Sequence, residues 1–256
     1  MILTLDIGNT NIKTALFDGT EMAQYWRLST DITCTSDEYG VKLLTLFNHA
    51  GLTTDVVEGI IISSVVPTIN FTIDHMCQNY FHQTPMFVAP GVKTGINIKY
   101  ENPRELGSDR IANAVAVSSL YGGPAIFIDF GTATTYGVIS EKNEFLGGAI
   151  APGLRMMNKA LATGTAKLPS IELVVPPKVI GKTTICNIQS GVLYGYIGSV
   201  EKIVSKMKQE MGCPDAKVIA TGGMAHIVKN NSDVIDVINP DLTLTGLRII
   251  YEKNQA

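Results

Sequence analysis

Residues 2–8 read ILTLDIG and residues 125–131 read AIFIDFG. Each is a short apolar run with the character of a buried strand, ending in a carboxylate, one more apolar residue and a glycine. A polar residue follows each time, Asn9 in the first copy and Thr132 in the second. Alternation of the β type then resumes, over Asn11 to Phe17 and over Thr134 to Ser140. The two carboxylates, Asp6 and Asp129, lie 123 residues apart in a chain of 256, close to half its length. One hairpin with an acid and a glycine at its edge is common. Two in the same order read as an internal duplication.

Working outward from the first copy, Asp18-Gly19 makes a turn and Ala23 to Leu28 predicts a third strand. Thr35-Ser36-Asp37-Glu38 suits a helix N-terminus leading into VKLLTLFNHA, with Gly51 as the stop. Gly59 to Ser64 is a β-branched run of the kind covered on both faces, and Val66-Pro67 opens a helix through Tyr80. The first half therefore reads βββαβα. After a Gly- and Pro-containing stretch from Pro90 to Pro103, either Ser108 or Asp109 caps a helix that ends at Tyr121-Gly122-Gly123-Pro124. Beyond the second hairpin, Gly147 to Leu154 reads as a glycine-punctuated loop entering a helix. A long amphipathic helix follows from about Cys186 to Met211, then a buried strand at Lys217 to Ala220, and helical spacing returns over Leu242 to Tyr251. At about 150 residues per domain the length gives about 1.7 domains and decides nothing. The repeat predicts two domains, 1–117 and 118–256, with one carboxylate from each facing a common cleft if the halves are related by an approximate two-fold.

Composition removes several classes of function. With 45% hydrophobic and 17% charged residues and a mean hydropathy of +0.19, the chain can bury a sizeable core and is too apolar to be disordered. A net charge of -3 offers no electrostatic footprint for nucleic acid and disfavours anionic membranes. Cys34, Cys77, Cys186 and Cys213 are scattered without a CxxC pair or zinc spacing, and His75 and Cys77 stand at i and i+2, which do not face each other on a helix. No targeting segment or bilayer-spanning apolar run is evident, so a reduced, cytoplasmic protein is expected.

A carboxylate ending a buried strand, beside a glycine that lets backbone amides approach a ligand, can hold a metal-bound phosphate. On that reading Asp6 holds Mg²⁺, directly or through water, and Gly8, Asn9, Thr10, Asn11 and Lys13 line a phosphate tail. Of Thr132, Thr134 and Thr135, Thr132 beside Gly131 is the functional candidate; β-branched residues favour strands in any case. Gly222-Gly223 either lets a base or ribose lie against the backbone or makes a plain strand-to-helix turn. Gly107-Ser108-Asp109-Arg110 puts an acid and a base at a helix start, where amides and the dipole favour anions. Asp109 as a simple cap is a serious alternative. Arg110 opposes the macrodipole there, which is better explained if it grips a substrate carboxylate bidentately.

Four motifs taken together, DIGNTNIK at Asp6 to Lys13, GSDR at Gly107 to Arg110, DFGTATT at Asp129 to Thr135 and GGAIAPGL at Gly147 to Leu154, resemble type III pantothenate kinase from the first strand to the final helix. The resemblance implies an α/β fold of two tandem ribonuclease-H-like domains, mixed sheets flanked by helices, of the actin and sugar-kinase superfamily. It implies phosphorylation of pantothenate by ATP, the first step of coenzyme A synthesis, in a homodimer that needs Mg²⁺ and a monovalent cation, K⁺ or NH₄⁺. By the same resemblance Asp6, Ile7, Gly8, Asn9, Thr10, Asn11, Ile12, Lys13 and Thr132 contact ATP, Asp109 is the general base and Asp129 holds the monovalent cation. Pantothenate is held by Tyr100, by Gly107 to Arg110 and by Thr184, or its neighbour Thr183, reaching across the dimer. The rival readings are a kinase of the same superfamily acting on another small hydroxy or carboxylic acid, and a nucleotide-binding regulator without transfer activity.

Overall fold

The computed structural model describes residues 1–255. In chain order the elements are β1 (Ile2–Ile7), β2 (Asn11–Asp18), β3 (Glu21–Ser29), α1 (Ser36–His49), β4 (Gly59–Ser64), α2 (Asn70–Phe81), β5 (Met86–Phe87), β6 (Asn97–Ile98) and α3 (Ser108–Leu120). They continue with β7 (Ala125–Phe130), β8 (Ala133–Ile139), β9 (Glu144–Pro152), α4 (Leu154–Gly164), α5 (Thr184–Met211), β10 (Lys217–Thr221), α6 (Ala225–Lys229), β11 (Val237–Ile238) and α7 (Leu242–Gln255). The chain forms two compact units. The first holds Met1–Ile96, Tyr100–Ala116 and residues 241–255, and the second holds Asn97–Lys99 and Val117–Pro240.

In the first unit the strand order is β3-β2-β1-β4-β5, with β1 antiparallel to β2 and parallel to β4. Leu3, Leu5 and Ile7 enter a core shared with Tyr39, Leu43 and Phe47 of α1 and Ile73, Met76 and Cys77 of α2. Two-residue alternation therefore turns Thr4 and Asp6 to the opposite face. Helix α7 packs against β1, β2 and β4. The expected halves 1–117 and 118–256 are thus divided differently by the packing: residues 241–255 belong with the first unit, because α7 covers a sheet face that the first half leaves bare. Its Thr243 Oγ1 donates to Asn113 Oδ1 of α3 at 2.8 Å.

In the second unit the order is β11-β10-β7-β8-β9-β6. Strand β7 is antiparallel to β8 and parallel to β10, and β10 is parallel to β11, so β9-β8-β7-β10-β11 repeats β3-β2-β1-β4-β5 strand for strand. The stretch from Gly147, expected as a glycine-rich loop, is instead strand β9, paired with β8 from Phe145 to Pro152. Ladder hydrogen bonds and the alternating exposure of a half-covered strand overrode the low strand preference of Gly147 and Gly148. The expected hairpin of the second half is in consequence a three-stranded meander like that of the first. The core gathers Ile126, Ile128 and Phe130 of β7 against Leu193, Tyr196 and Val200 of α5 and Val218 and Ala220 of β10.

Candidate active site

Asp6 is the fifth of six residues in β1 and is 8% exposed. Register places Lys13 of β2 directly opposite, and Lys13 Nζ lies 3.5 Å from Asp6 Oδ2. Between them the chain turns at Gly8 to Thr10, closed by the Gly8 amide donating to the Asn11 carbonyl at 3.0 Å. Asn9 and Thr10 are exposed at the tip of this turn. The sequence-predicted phosphate residues are thereby brought together at one sheet end, with the apolar Ile7 and Ile12 turned into the core.

The start of α3 is tied to the same sheet end. Ser63 of β4 stands opposite Asp6 in the parallel register, and its Oγ lies 3.0 Å from Ser108 Oγ. Ser108 Oγ also accepts from the Ser64 amide at 3.0 Å, within reach of the Ser64 carbonyl at 3.1 Å. The expectation that either Ser108 or Asp109 precedes and caps the helix is not what is observed: both lie inside its first turn. The Ser108 hydroxyl is absorbed by this buried network, which anchors the residues that follow it. Asp109 Oδ1 accepts from the Arg110 amide at 2.8 Å. A Cβ on Gly107 would fall 2.5 Å from that same Oδ1, so glycine leaves the carboxylate its place. Arg110 is 5% exposed, and its guanidinium carbon lies 5.7 Å from the centre of the Tyr100 ring, a cation–π contact that joins two predicted substrate residues.

In the second unit Asp129 is again the fifth of six residues in its strand. Its cross-strand partner is Thr135, and Thr221 of β10 lies beside it. Asp129 Oδ1 is buried and has no hydrogen-bond partner among the described residues. A Cβ on Gly222, whose φ is +88°, would come within 2.6 Å of that oxygen, so this glycine both adopts a conformation other residues avoid and keeps space open at the carboxylate. Of the threonines, Thr132 is exposed, whereas Thr134 is buried with Oγ1 2.5 Å from the Tyr196 hydroxyl. Burial pushes the Tyr196 phenol up to about 12, with the Asp129 charge acting in the same direction.

Thr183 and Thr184 separate by role. Thr183 Oγ1 caps α5 by accepting from the Cys186 amide at 3.2 Å, while Thr184 is exposed and borders a cavity of about 630 Å³ lined by Met157, Leu161, Leu168, Ile188 and Val192. All four cysteines are free thiols, and burial pushes that of Cys77 up to about 12. No group of three or more His, Cys, Asp or Glu suited to a metal is found among the described residues. Among the described residues no helix is long and apolar enough to cross a membrane.

The sequence model of type III pantothenate kinases matches residues 2–206. This chain belongs to that family. It is 54% identical to a type III pantothenate kinase of Geobacillus kaustophilus over 254 residues, covering 99% of this chain and 98% of its relative. Among solved structures it resembles a protein from Campylobacter jejuni described as a Baf family transcriptional activator, with a TM-score of 0.64 at 20% identity over 99% of this chain and 98% of the other. It also resembles the ROK hexokinase of Thermus thermophilus, with a TM-score of 0.52 at 13% identity over 99% of both chains. At these identities the two structures speak for the fold alone, the mixed α/β fold with two sheets of matching strand order described above. Sequence reasoning had no signal for Ser63 and Ser64 as anchors of α3 or for Tyr196 behind Thr134, because each contact joins elements far apart in the chain.

Proposed function

We infer that this type III pantothenate kinase transfers the terminal phosphoryl group of ATP to the terminal hydroxyl of pantothenate, in coenzyme A biosynthesis. The observation that carries the site-level reading is the first turn of α3. A glycine that makes room for a carboxylate is followed by that carboxylate and then by a buried arginine backed by an aromatic ring, all anchored through Ser108 to the strand beside Asp6. Asp109 orients the acceptor hydroxyl and accepts its proton. Arg110, held over Tyr100, binds the pantothenate carboxylate. The turn from Gly8 to Asn11 and the Lys13 ammonium hold the phosphates, and Thr132 contacts the nucleotide. Transfer of this kind asks the protein mainly for positioning and charge neutralisation, and these residues supply both.

Two cations complete the reading. The orphaned Asp129 Oδ1, with space preserved beside it by Gly222, fits a monovalent cation, K⁺ or NH₄⁺. The Asp6 carboxylate fits Mg²⁺ held through water, its remaining charge shared with Lys13. Bound there, these ions would offset the negative charge of the phosphates. The chain acts as a homodimer in which Thr184, free of the capping duty of Thr183, reaches the substrate of the partner subunit.

The test is turnover by purified protein with ATP and pantothenate in potassium buffer, the product identified by mass and compared with that from sugars and short hydroxy acids. Phosphopantothenate is expected, and its absence overturns the reading. Asp109→Asn is expected to lower kcat by about 10²–10⁴-fold with an unchanged melting temperature, since an amide oxygen still accepts from the Arg110 N–H. Near-normal kcat would remove Asp109 as the base.

A further inference from the structure

Thr30, the residue after β3, touches the phosphate turn twice. Its Oγ1 donates to the Gly8 carbonyl at 2.6 Å and its amide donates to the Thr10 carbonyl at 3.1 Å. It is half-buried and belongs to none of the motifs quoted above. In a trans peptide the C=O and the N–H of one plane point in opposite directions. Fixing the Gly8 carbonyl toward Thr30 therefore directs the Asn9 N–H away from it, and fixing the Thr10 carbonyl does the same for the Asn11 N–H. The Asn9 and Asn11 amides are thereby aimed to the side away from β3, where donors are what an anion requires.

The anchor is itself held. The Asp31 amide donates to the Tyr39 hydroxyl at 2.9 Å, and that hydroxyl donates back to the Asp31 carbonyl at 3.0 Å. Tyr39 is fully buried in α1. A continuous path thus runs from the rigid core through Asp31 and Thr30 to the turn between β1 and β2. We propose that Thr30 is a positioning residue for nucleotide phosphate: it sets the 8–9 and 10–11 peptide planes so that the Asn9 and Asn11 amides face the ligand before it arrives. This rests on the reading of residues 6–13 as the phosphate site.

The experiment compares Thr30→Val, which keeps the branched shape and loses the hydroxyl, with Thr30→Ser, which keeps the hydroxyl. ATP with Mg²⁺ is titrated by calorimetry, and steady-state constants for ATP and pantothenate are measured separately. The valine variant is expected to raise both the dissociation constant and the KM for ATP about five- to tenfold, the scale of one hydrogen bond, with KM for pantothenate unchanged; the serine variant is expected to restore most of the loss. Unchanged ATP binding in Thr30→Val overturns the proposal, and so does a serine variant as impaired as valine, which would show that keeping the hydroxyl is not enough to hold the turn. If Thr30→Val does not fold, Thr30→Ala is read in its place against the same serine control. Because calorimetry needs no acceptor, a wild-type protein that binds ATP and fails to phosphorylate pantothenate would count against the functional reading while leaving this measurement intact.

Discussion

The two hairpins β1-β2 and β7-β8 have one topology and differ in what faces their aspartate. In both, an aspartate is the fifth of six strand residues, beside a parallel strand and opposite a returning one. In the first, the residue opposite is Lys13, whose ammonium sits 3.5 Å from the carboxylate. In the second it is Thr135, and Asp129 Oδ1 is buried without a hydrogen-bond partner among the described residues. A fold position that buries a carboxylate has to be answered by a positive charge or a donor, because an uncompensated buried charge is costly. The first copy answers from within its own sequence. The second has Thr135 at that cross-strand position and no such charge there, which is the difference that the proposed cation site builds on.

The sharpest way to break this comparison is to neutralise each aspartate in turn. Asp129→Asn is expected to reduce kcat by about 10²–10³-fold, the range seen when one fixed electrostatic element is lost, and to leave stability equal or slightly higher, since no partner among the described residues is stranded. Asp6→Asn is expected to cost stability by about 1–3 kcal/mol, because Lys13, itself mostly covered, loses its counter-charge. Denaturant melts of the two variants side by side check this, and equal stability losses would show that the two carboxylates are not in different states.

A smaller effect tests the comparison constructively. Thr135→Lys places at the second hairpin the residue type that Lys13 supplies at the first, and directly opposed residues of an antiparallel pair share a face. The ratio of the rate in potassium to that in sodium, expected to be well above one for the wild type, is expected to fall toward one in this variant. A folded variant that keeps the wild-type ratio would detach the cation requirement from Asp129.

The comparison also marks what was legible in the sequence. Both hairpins could be read because apolar alternation and an acid–glycine ending are local signals, and the duplication multiplied them. The start of α3 was legible as a helix, observed over Ser108–Leu120, and not in its anchoring: the hydroxyl of Ser108 serves Ser63 and Ser64, which are 44 or 45 residues away. Strand β9 was hidden by its glycines, since pairing with β8 decides its conformation and pairing is not a local property. The placement of α7 was hidden for a similar reason. Its helical spacing is plain over Leu242 to Tyr251, but which sheet it covers depends on a face left bare more than a hundred residues earlier.

The smallest expected effect concerns the helix that follows each meander. Helix α1 begins with a capping box: Thr35 Oγ1 accepts from the Glu38 amide at 3.2 Å and Glu38 Oε2 accepts from the Thr35 amide at 2.7 Å. Its counterpart α4 starts at Gly153 with no side-chain cap. The hydrogen bond from the Thr35 amide, followed by that from its hydroxyl, holds the Glu38 carboxyl below the ordinary carboxylate range. A depressed carboxyl contributes stability that is complete above its ordinary value of 4.5 and is lost as pH falls below it toward the folded value. Glu38→Gln is therefore expected to melt about 2 °C lower than wild type at neutral pH, the scale of a weakened cap in a chain of this size, and the two curves are expected to converge in acid below that range. No equivalent pH-dependent difference is expected from a substitution in the first turn of α4, such as Arg155→Gln, because nothing there titrates against a cap. Melting curves that stay separated in acid would show that Glu38 stabilises α1 by some means other than its ionised carboxylate.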